Sequence, residues 1–357
     1  MLTAEGCRTR RQRLLEQLSV KEPLVLADPV HLRYLANFYV EPFSLGADFG
    51  GLVVIRPDGR TTLHHDNRLP KTVELAHVDE RIPIRWYDGQ EPEQGTRQLM
   101  LRPILETNGG RVHDSLADPL APQIFVITNA MRRRKDPDEI VLLKTCMRAT
   151  EAGHDWARAN IREGMTELDL YAGVSASCQR ALGHWAIVYG DFVVSSGGRR
   201  VGPPTPRVLK HGETFILDFS VIVQGYRSDF TTTLVVGGKP TVEQQRLFKL
   251  CVDALEAGER ELKPGTKCQT VYDAVRGVFV AAGLPDALVS HVGHGLGAMH
   301  PEAPFIVRRS TETLVAGDVV TLEPGLNIGD ISIRIEHNYH ITETGYDYLS
   351  RHAITMT

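Results

Sequence analysis

The sequence has few cysteines and no excess of basic charge. Its cysteines form no CxxC pair and their number is odd: Cys7, Cys146, Cys178, Cys251 and Cys268. This pattern argues against a disulfide framework and against a thiolate zinc site, and it is typical of a reducing compartment. The 40 basic side chains stand against 44 acidic ones, which gives a formal net charge of −4. We expect no nucleic-acid partner, because such partners select a basic excess or a basic face.

Long apolar runs are also missing. No run approaches the roughly 20 apolar residues of a membrane-spanning helix. The N-terminal stretch MLTAEGCRTRRQRLLEQL is charged and lacks the apolar segment of a signal peptide. We therefore expect a cytoplasmic protein that does not bind membranes. With 42% apolar and 24% charged residues over 357 positions, the chain has a globular composition and a length that suits about two domains.

The order of sequence patterns divides the chain near residue 130. Residues 1–130 alternate short helical and strand patterns, and the Pro-Asp-Gly at 57–59 predicts a hairpin between two apolar runs. The stretch KDPDEI at 135–140 predicts the start of a new helix, because proline and acidic residues suit a first helical turn. We therefore expect an α/β domain over residues 1–130 and a second domain over residues 131–357.

The second domain contains two similar copies of one pattern. REGMTELDLYAGV, with Gly164, resembles KPGTKCQTVYDAV, with Gly265. LKHGETFILDF and LVAGDVVTLEP follow them, and each ends near a carboxylate, Asp218 in one copy and Glu323 in the other. Two copies are too few for a solenoid. They predict a pseudo-two-fold domain with one shared central site.

Two further acids extend this matched arrangement. Asp218 and Asp229 flank a Gln-Gly turn between β-rich runs, and Glu323 and Glu336 flank a Gly-Asp turn. Each pair is expected to converge across a hairpin. Four carboxylates buried together would repel one another, so they must either take up protons or bind cations. A pair of metal ions is the simpler solution.

A nitrogen ligand is available from the segment HVGHGLG, where His294 lies between two glycines. Glycine lets the backbone approach closely and leaves the imidazole unobstructed. Four carboxylates and one imidazole form an oxygen-rich set that suits Mn²⁺, Fe²⁺ or Co²⁺ and does not exclude Zn²⁺. We expect two divalent metal ions, with manganese preferred.

These segments resemble the creatinase and prolidase family of pita-bread metallopeptidases. The matching stretches are LDF, GYRSDFTTT, GHGLG, LEPG and RIE, and they contain all five candidate ligands in order. LADPVHLRYLANF and LVVIRPDGR resemble the creatinase N-terminal domain, which favours the Xaa-Pro peptidase branch. The resemblance implies an α/β (α+β) fold: a creatinase-like N-terminal domain at 1–130 and a pita-bread catalytic domain at 131–357.

The resemblance also implies a mechanism and an assembly. Asp218 would bind one metal, His294 and Glu323 the other, and Asp229 and Glu336 would bridge. A metal-bridged hydroxide would attack an amide carbonyl, and Glu323 would shuttle the proton to the departing nitrogen. The substrate would be a small peptide. The implied assembly is a homodimer in which each N-terminal domain helps to wall the partner's site.

The chain departs from the family at two histidines that usually lie near the metals. Val201 and Pro301 occupy those positions, and His300 stands one residue early. We expect a catalytic role for His300, with a structural or surface role as the alternative. His291 and Arg334 are candidate substrate-binding residues, and for Arg334 the alternative is charge pairing across strands.

Three functions fit these patterns. The first is a dinuclear metallohydrolase of the Xaa-Pro dipeptidase or aminopeptidase type. The second is a non-peptidase on the same scaffold, such as a creatinase-like C–N hydrolase, an ectoine-type hydrolase or a C–S lyase, because Val201 and Pro301 replace the peptidase histidines. The third is a binding protein that keeps the fold without chemistry.

Overall fold

A computed structural model describes residues 1–40, 50–69, 71–91, 99, 101–196, 198–288 and 291–357. It divides into two compact units. The first contains Met1–Arg132 and Asp136–Glu139, and the second contains Arg133–Lys135 and Ile140–Thr357. No helix in the described ranges combines the length and apolarity needed to cross a bilayer.

The first unit is a sheet covered by helices. Its strands are β1 (Leu24–Leu26), β2 (Gly51–Ile55), β3 (Thr61–Asp66) and β4 (Glu80–Ile84). Its helices are α1 (Ala4–Leu18), α2 (Pro29–Ala36), a 3-10 helix (Lys71–Leu75), α3 (Arg102–Thr107) and α4 (Ala121–Arg133). The sheet order is β1-β2-β3-β4, with only the β3–β4 pair parallel. The predicted hairpin at residues 57–59 is the β2–β3 connection.

Apolar side chains explain the packing of this unit. Leu14 of α1, Tyr34 of α2 and Ile124 of α4 are fully buried in one cluster with Val53 of β2. Burying such side chains contributes roughly 1.5–3 kcal/mol each. α2 begins at a side-chain cap, since Asp28 accepts hydrogen bonds from the first-turn N–H groups.

The second unit contains longer helices and mostly antiparallel strands. Its helices are α5 (Pro137–Asn160), α6 (Glu167–Leu182), α7 (Val242–Glu259) and α8 (Cys268–Ala281). Strands β5 (Ile187–Val194), β6 (Thr214–Val223), β7 (Tyr226–Arg227) and β8 (Phe230–Val235) form one sheet. β9 (Gly293–Gly295), β10 (Glu302–Ile306), β11 (Val319–Leu322), β14 (His337–Ile341) and β15 (Tyr346–Tyr348) form another, while β12 (Gly325–Ile328) pairs with β13 (Ile331–Arg334).

The two sequence copies have matching backbones. Gly164 and Gly265 adopt left-handed φ values of 86° and 88° in the turns before α6 and α8, and Gly212 and Gly317 adopt 81° and 95° in the turns before β6 and β11. Only glycine enters this region without steric cost. The predicted mixed α/β architecture and the internal repeat are confirmed.

Candidate metal centre

Asp218 lies in the middle of β6, directly opposite Asp191 of β5. Opposed residues of an antiparallel pair share one face, so both carboxylates point to the same side of the sheet. The guanidinium of Arg334 donates to Asp218 Oδ2 at 2.5 Å and to Asp191 Oδ2 at 3.4 Å. Burial raises the pKa of Asp218 to about 7, against the attraction of Arg334, and repulsion from Asp229 adds to the rise.

Asp229 stands in the break between β7 and β8. The side-chain amide of Asn338 fixes its backbone: Asp229 N donates to Asn338 Oδ1 at 3.2 Å, and Asn338 Nδ2 donates back to the Asp229 carbonyl. His300 Nε2 lies 2.6 Å from Asp229 Oδ2 and His294 Nε2 lies 3.6 Å from it. Burial raises the pKa of Asp229, but the two imidazoles outweigh it and the net shift is downward.

Glu336 lies in the break between β13 and β14 and is 1% exposed. Thr231 Oγ1 donates to its Oε2 at 2.7 Å, and Glu336 N donates to the Thr231 carbonyl at 3.1 Å. The other oxygen, Oε1, is buried without a hydrogen-bond partner among the described residues. Burial and then repulsion from Asp229 and Glu323 raise the pKa of Glu336 well above its usual value.

Glu323 follows β11 and faces two histidines. Its Oε1 lies 3.2 Å from His291 Nε2 and 3.4 Å from His294 Nε2, and it accepts a hydrogen bond from Thr321 Oγ1 at 3.2 Å. Burial opposes ionisation, but the imidazoles lower the pKa of Glu323 below its usual value. The same contact raises the pKa of His291.

His294 presents one ring nitrogen to the carboxylates. Its Nδ1 lies 3.0 Å from the Gly295 carbonyl, which can only accept, so Nδ1 donates there and Nε2 is the ring nitrogen left to face a metal. A side chain at Gly293 or Gly295 would overlap the carbonyl oxygen of Thr321 or Ala303. The glycines on both sides of His294 are therefore required by the close approach of neighbouring strands.

The donor atoms fall into three groups in which every pair lies within 4.8 Å. One group contains Asp218, Asp229 and Glu336, and each of the others contains His294. Asp229 and His300 complete the second group, and His291 and Glu323 complete the third. The raised pKa values of Asp218 and Glu336, the orphaned Glu336 oxygen and the Nε2 atom of His294 fit divalent cations.

A model of metallopeptidase family M24 matches residues 141–343, more than half of the chain. The chain belongs to metallopeptidase family M24. The resemblance to the creatinase and prolidase metallopeptidases is thereby confirmed. A Bacillus subtilis (strain 168) M24 relative, named "Putative dipeptidase YkvY", is 30% identical over 222 residues, which are 61% of this chain and 60% of that protein. The chain therefore aligns with less than two thirds of that relative's length.

Solved structures resemble this M24 chain along its whole length. An Xaa-Pro dipeptidase from Bacillus anthracis matches with a TM-score of 0.77 and 20% identity, covering 99% of both chains. Dipeptidase PepE from Mycobacterium ulcerans matches with a TM-score of 0.74 and 23% identity, covering 100% of this chain and 99% of its own. At these identities the likeness establishes the fold.

Seven of the eight residues that the sequence singled out in the M24 chain carry the donor atoms of the three donor groups. Asp218 is in a strand as expected, whereas Asp229, Glu323 and Glu336 stand in breaks between strands. Arg334 contacts a carboxylate of the cluster. The substituted family positions lie outside the donor groups: Val201 is 61% exposed, and Pro301 is also exposed.

Four residues of the M24 site escaped the sequence reasoning: Asp191, Thr231, Thr321 and Asn338. Thr231 and Thr321 each stand two residues from a candidate ligand, so local spacing carried a weak signal for them. Asp191 and Asn338 are distant in sequence from their partners. Asp191 lies opposite Asp218 and shares Arg334 with it, and Asn338 holds the backbone of Asp229. Only tertiary structure brings them together.

Proposed function

We propose that the protein is a dinuclear metal-dependent hydrolase that cleaves Xaa-Pro dipeptides. The observation that carries this proposal is a cluster of four carboxylates and one imidazole. Asp218, Asp229 and Glu336 form one donor group, and His294 Nε2 lies 3.6 Å from Asp229 Oδ2 and 3.4 Å from Glu323 Oε1. A second kind of support comes from names: an M24 relative is named a dipeptidase, and a solved structure of the same fold is an Xaa-Pro dipeptidase.

The donor groups suggest how two cations would be held. Asp218 would bind one ion, His294 and Glu323 the other, with Asp229 and Glu336 between them. Manganese is our first choice because oxygen donors outnumber nitrogens. When bound, such ions supply Lewis-acid polarisation of a carbonyl and lower the pKa of water. As in the wider family, we propose a homodimer.

Glu323 is the residue we assign to proton transfer. Its lowered pKa makes it a carboxylate at neutral pH, able to accept a proton and return it to a departing nitrogen. Thr321 donates to Glu323 Oε1 and restricts its orientation. His291, whose side chain is 43% exposed, contacts that same oxygen from the open side and is assigned to substrate binding.

His300 and Arg334 complete the proposed site. His300 Nε2 contacts Asp229, and its side chain is 30% exposed, so it faces both a metal ligand and the solvent through which substrate arrives. We assign it a catalytic role. Arg334 compensates the charge of Asp218 and Asp191, and its substrate contact remains our proposal.

The test uses metal-depleted protein reloaded with Mn²⁺, with metal content measured before each assay. We expect cleavage of Xaa-Pro dipeptides to follow metal content and to disappear in His294→Ala, while His184→Gln, an exposed histidine, behaves as wild type. Xaa-Ala dipeptides serve as the comparison substrates. Protein that holds two ions per chain and cleaves no Xaa-Pro dipeptide would contradict the proposal.

A non-peptidase on the same scaffold is the second candidate. The observation in its favour is that Val201 and Pro301 stand where the peptidases usually have histidines. Its test is a panel of cyclic amides, amidines and sulfonium compounds assayed with the same metal-loaded protein. Turnover of one of these in the absence of dipeptide cleavage would favour it.

A further inference from the structure

Arg227 is a half-buried arginine on the face of the sheet that carries Asp218. It lies in β7, opposite Ile222 of β6. Alternate residues of a strand share a face, so Asp218, Ser220 and Ile222 point to the same side, and Arg227 points there with them. Its Nε donates to Ser220 Oγ at 3.3 Å, which directs the guanidinium along β6 toward the carboxylate cluster.

The guanidinium of Arg227 has unused donors. Within the described ranges it forms no ion pair, and Ser220 is its hydrogen-bond partner. A guanidinium has five N–H donors, so four remain for a ligand. Arg334 differs, because its guanidinium already contacts Asp218 and Asp191. No nitrogen of Arg227 is among the buried side-chain atoms that lack a partner in the described chain, so its unused donors reach solvent, where an anionic group of the substrate can bind them.

The position of Arg227 agrees with a short substrate. Ser220 follows Asp218 by two residues, which along a strand is roughly 7 Å. In an extended dipeptide the C-terminal carboxylate lies one residue, about 3.5 Å, beyond the scissile carbonyl. Adding the length of a hydrogen bond, about 3 Å, brings that carboxylate within reach of the guanidinium while the carbonyl stays beside the carboxylate cluster. A longer peptide would place its terminus beyond Arg227.

We propose that Arg227 binds the C-terminal carboxylate of the substrate and so selects dipeptides over longer or amidated peptides. This inference rests on the proposed peptidase function. Arginine suits the role because its planar fork matches a carboxylate with two parallel hydrogen bonds, which lysine cannot form.

The experiment is a comparison of kcat/KM for an Xaa-Pro dipeptide and its C-terminal amide in wild type, Arg227→Gln and Arg227→Lys. We expect Arg227→Gln to lose about 100-fold on the acid, mainly through KM, and at most about threefold on the amide. Arg227→Lys should recover part of the loss. Arg260→Gln, at an exposed arginine after α7, is the matched control and should change neither.

Equal losses on acid and amide would overturn the inference, because they would mean that Arg227 acts only on the charge of the metal site. If wild type cleaves neither substrate, the proposed function fails separately. Calorimetric binding of N-acetylproline and its amide to metal-loaded protein then tests Arg227 alone. Preference for the acid that disappears in Arg227→Gln supports the inference, and equal affinities overturn it.

Discussion

Glu336 shows how a single metal-site residue affects both folding and binding. Its carboxyl group is buried, one oxygen lacks a hydrogen-bond partner in the described structure, and its pKa lies well above the usual value. Burial is the first cause and repulsion by Asp229 and Glu323 the next. Without a cation this group destabilises the fold, whereas with one it becomes a ligand.

We therefore predict that Glu336→Gln stabilises the metal-free protein and abolishes its stabilisation by metal. Glutamine has the same shape and no charge, so metal-free protein should gain about 1 kcal/mol, or roughly 2–4 °C in melting temperature. Thermal melts with EDTA and with Mn²⁺ measure both effects. Glu243→Gln, at a surface glutamate paired with Arg246, is the control and should change neither. An unchanged response of Glu336→Gln to Mn²⁺ would contradict the assignment of Glu336 as a ligand.

At the scale of single residues, the sequence identified the candidate metal ligands but not the residues that hold them in position. Asp218 and His294 were recognisable from the strand, turn and glycine patterns around them. The clamp of Asn338 on Asp229 and the pairing of Asp191 with Arg334 join residues more than 100 positions apart. No local pattern encodes such contacts, because they depend on how two sheets pack.

At the scale of elements, the turns of the second unit were predictable and its strand breaks were not. Glycine-containing turns predict hairpins. The Gln-Gly turn at 224–225 connects β6 to β7, and the Gly-Asp turn at 329–330 connects β12 to β13. Asp229, Glu323 and Glu336 leave the regular ladder, yet Glu323 and Glu336 each keep a backbone bond, to Val292 and Thr231. Because these bonds are preserved, the alternation of apolar and polar residues continues through the break. The alternation alone therefore predicts an unbroken strand.

The segment leading into β10 carries His300 and is held by a buried ion pair. Lys135 Nζ lies 2.9 Å from Glu302 Oε1, with side chains 1% and 6% exposed. Gly297 packs against both, since an added side chain there would lie 2.6 Å from Glu302 Oε1 and 2.8 Å from Lys135 Cε. The pair thus fixes both ends of the segment between β9 and β10.

We predict that Lys135→Met destabilises the protein by about 3–5 kcal/mol, because it removes the positive charge next to a buried carboxylate. The double variant Lys135→Met with Glu302→Gln should recover more than half of that loss. Urea denaturation at neutral pH gives both values. Lys249→Met is the matched control: Lys249 pairs with Asp253 at the surface, where a pair is worth less than about 1 kcal/mol. A cost for Lys135→Met no greater than this control would show that the buried pair does not anchor the segment.

At the scale of the whole molecule, the net charge does not indicate which charged groups are buried. A formal net charge of −4 gives no sign of the carboxylate cluster in the second unit, whereas the repeated copies around Gly212 and Gly317 pointed to it. Repeats are visible in sequence because both copies must build the same turn. Buried histidines outside the repeats cannot be recognised in this way, because no surrounding sequence pattern distinguishes a buried histidine from an exposed one.

His154 and His352 form such a hidden pair. Their rings lie 4.9 Å apart, beside Phe230, and each ring donates from Nε2 to one backbone carbonyl. Their Nδ1 atoms are buried without a hydrogen-bond partner in the described part of the chain. Burial lowers the pKa of His154 to about 3 and that of His352 well below 6.5. Both are therefore neutral in the folded protein at any moderate pH.

Acid should accordingly unfold the protein through these histidines. The pKa of His154 is 6.5 in the unfolded chain and about 3 in the folded protein. Between these two pH values, His154 binds a proton in the unfolded chain and is neutral in the folded protein. Stability then falls as pH falls, by about 1.4 kcal/mol per pH unit for each such group. His154→Phe should lessen the slope of unfolding free energy against pH by one group, measured by urea denaturation with EDTA from pH 7 to pH 4. His184→Gln, at an exposed histidine, should leave the slope unchanged, and an equally steep slope in His154→Phe would show that His154 is not among the groups that cause acid unfolding.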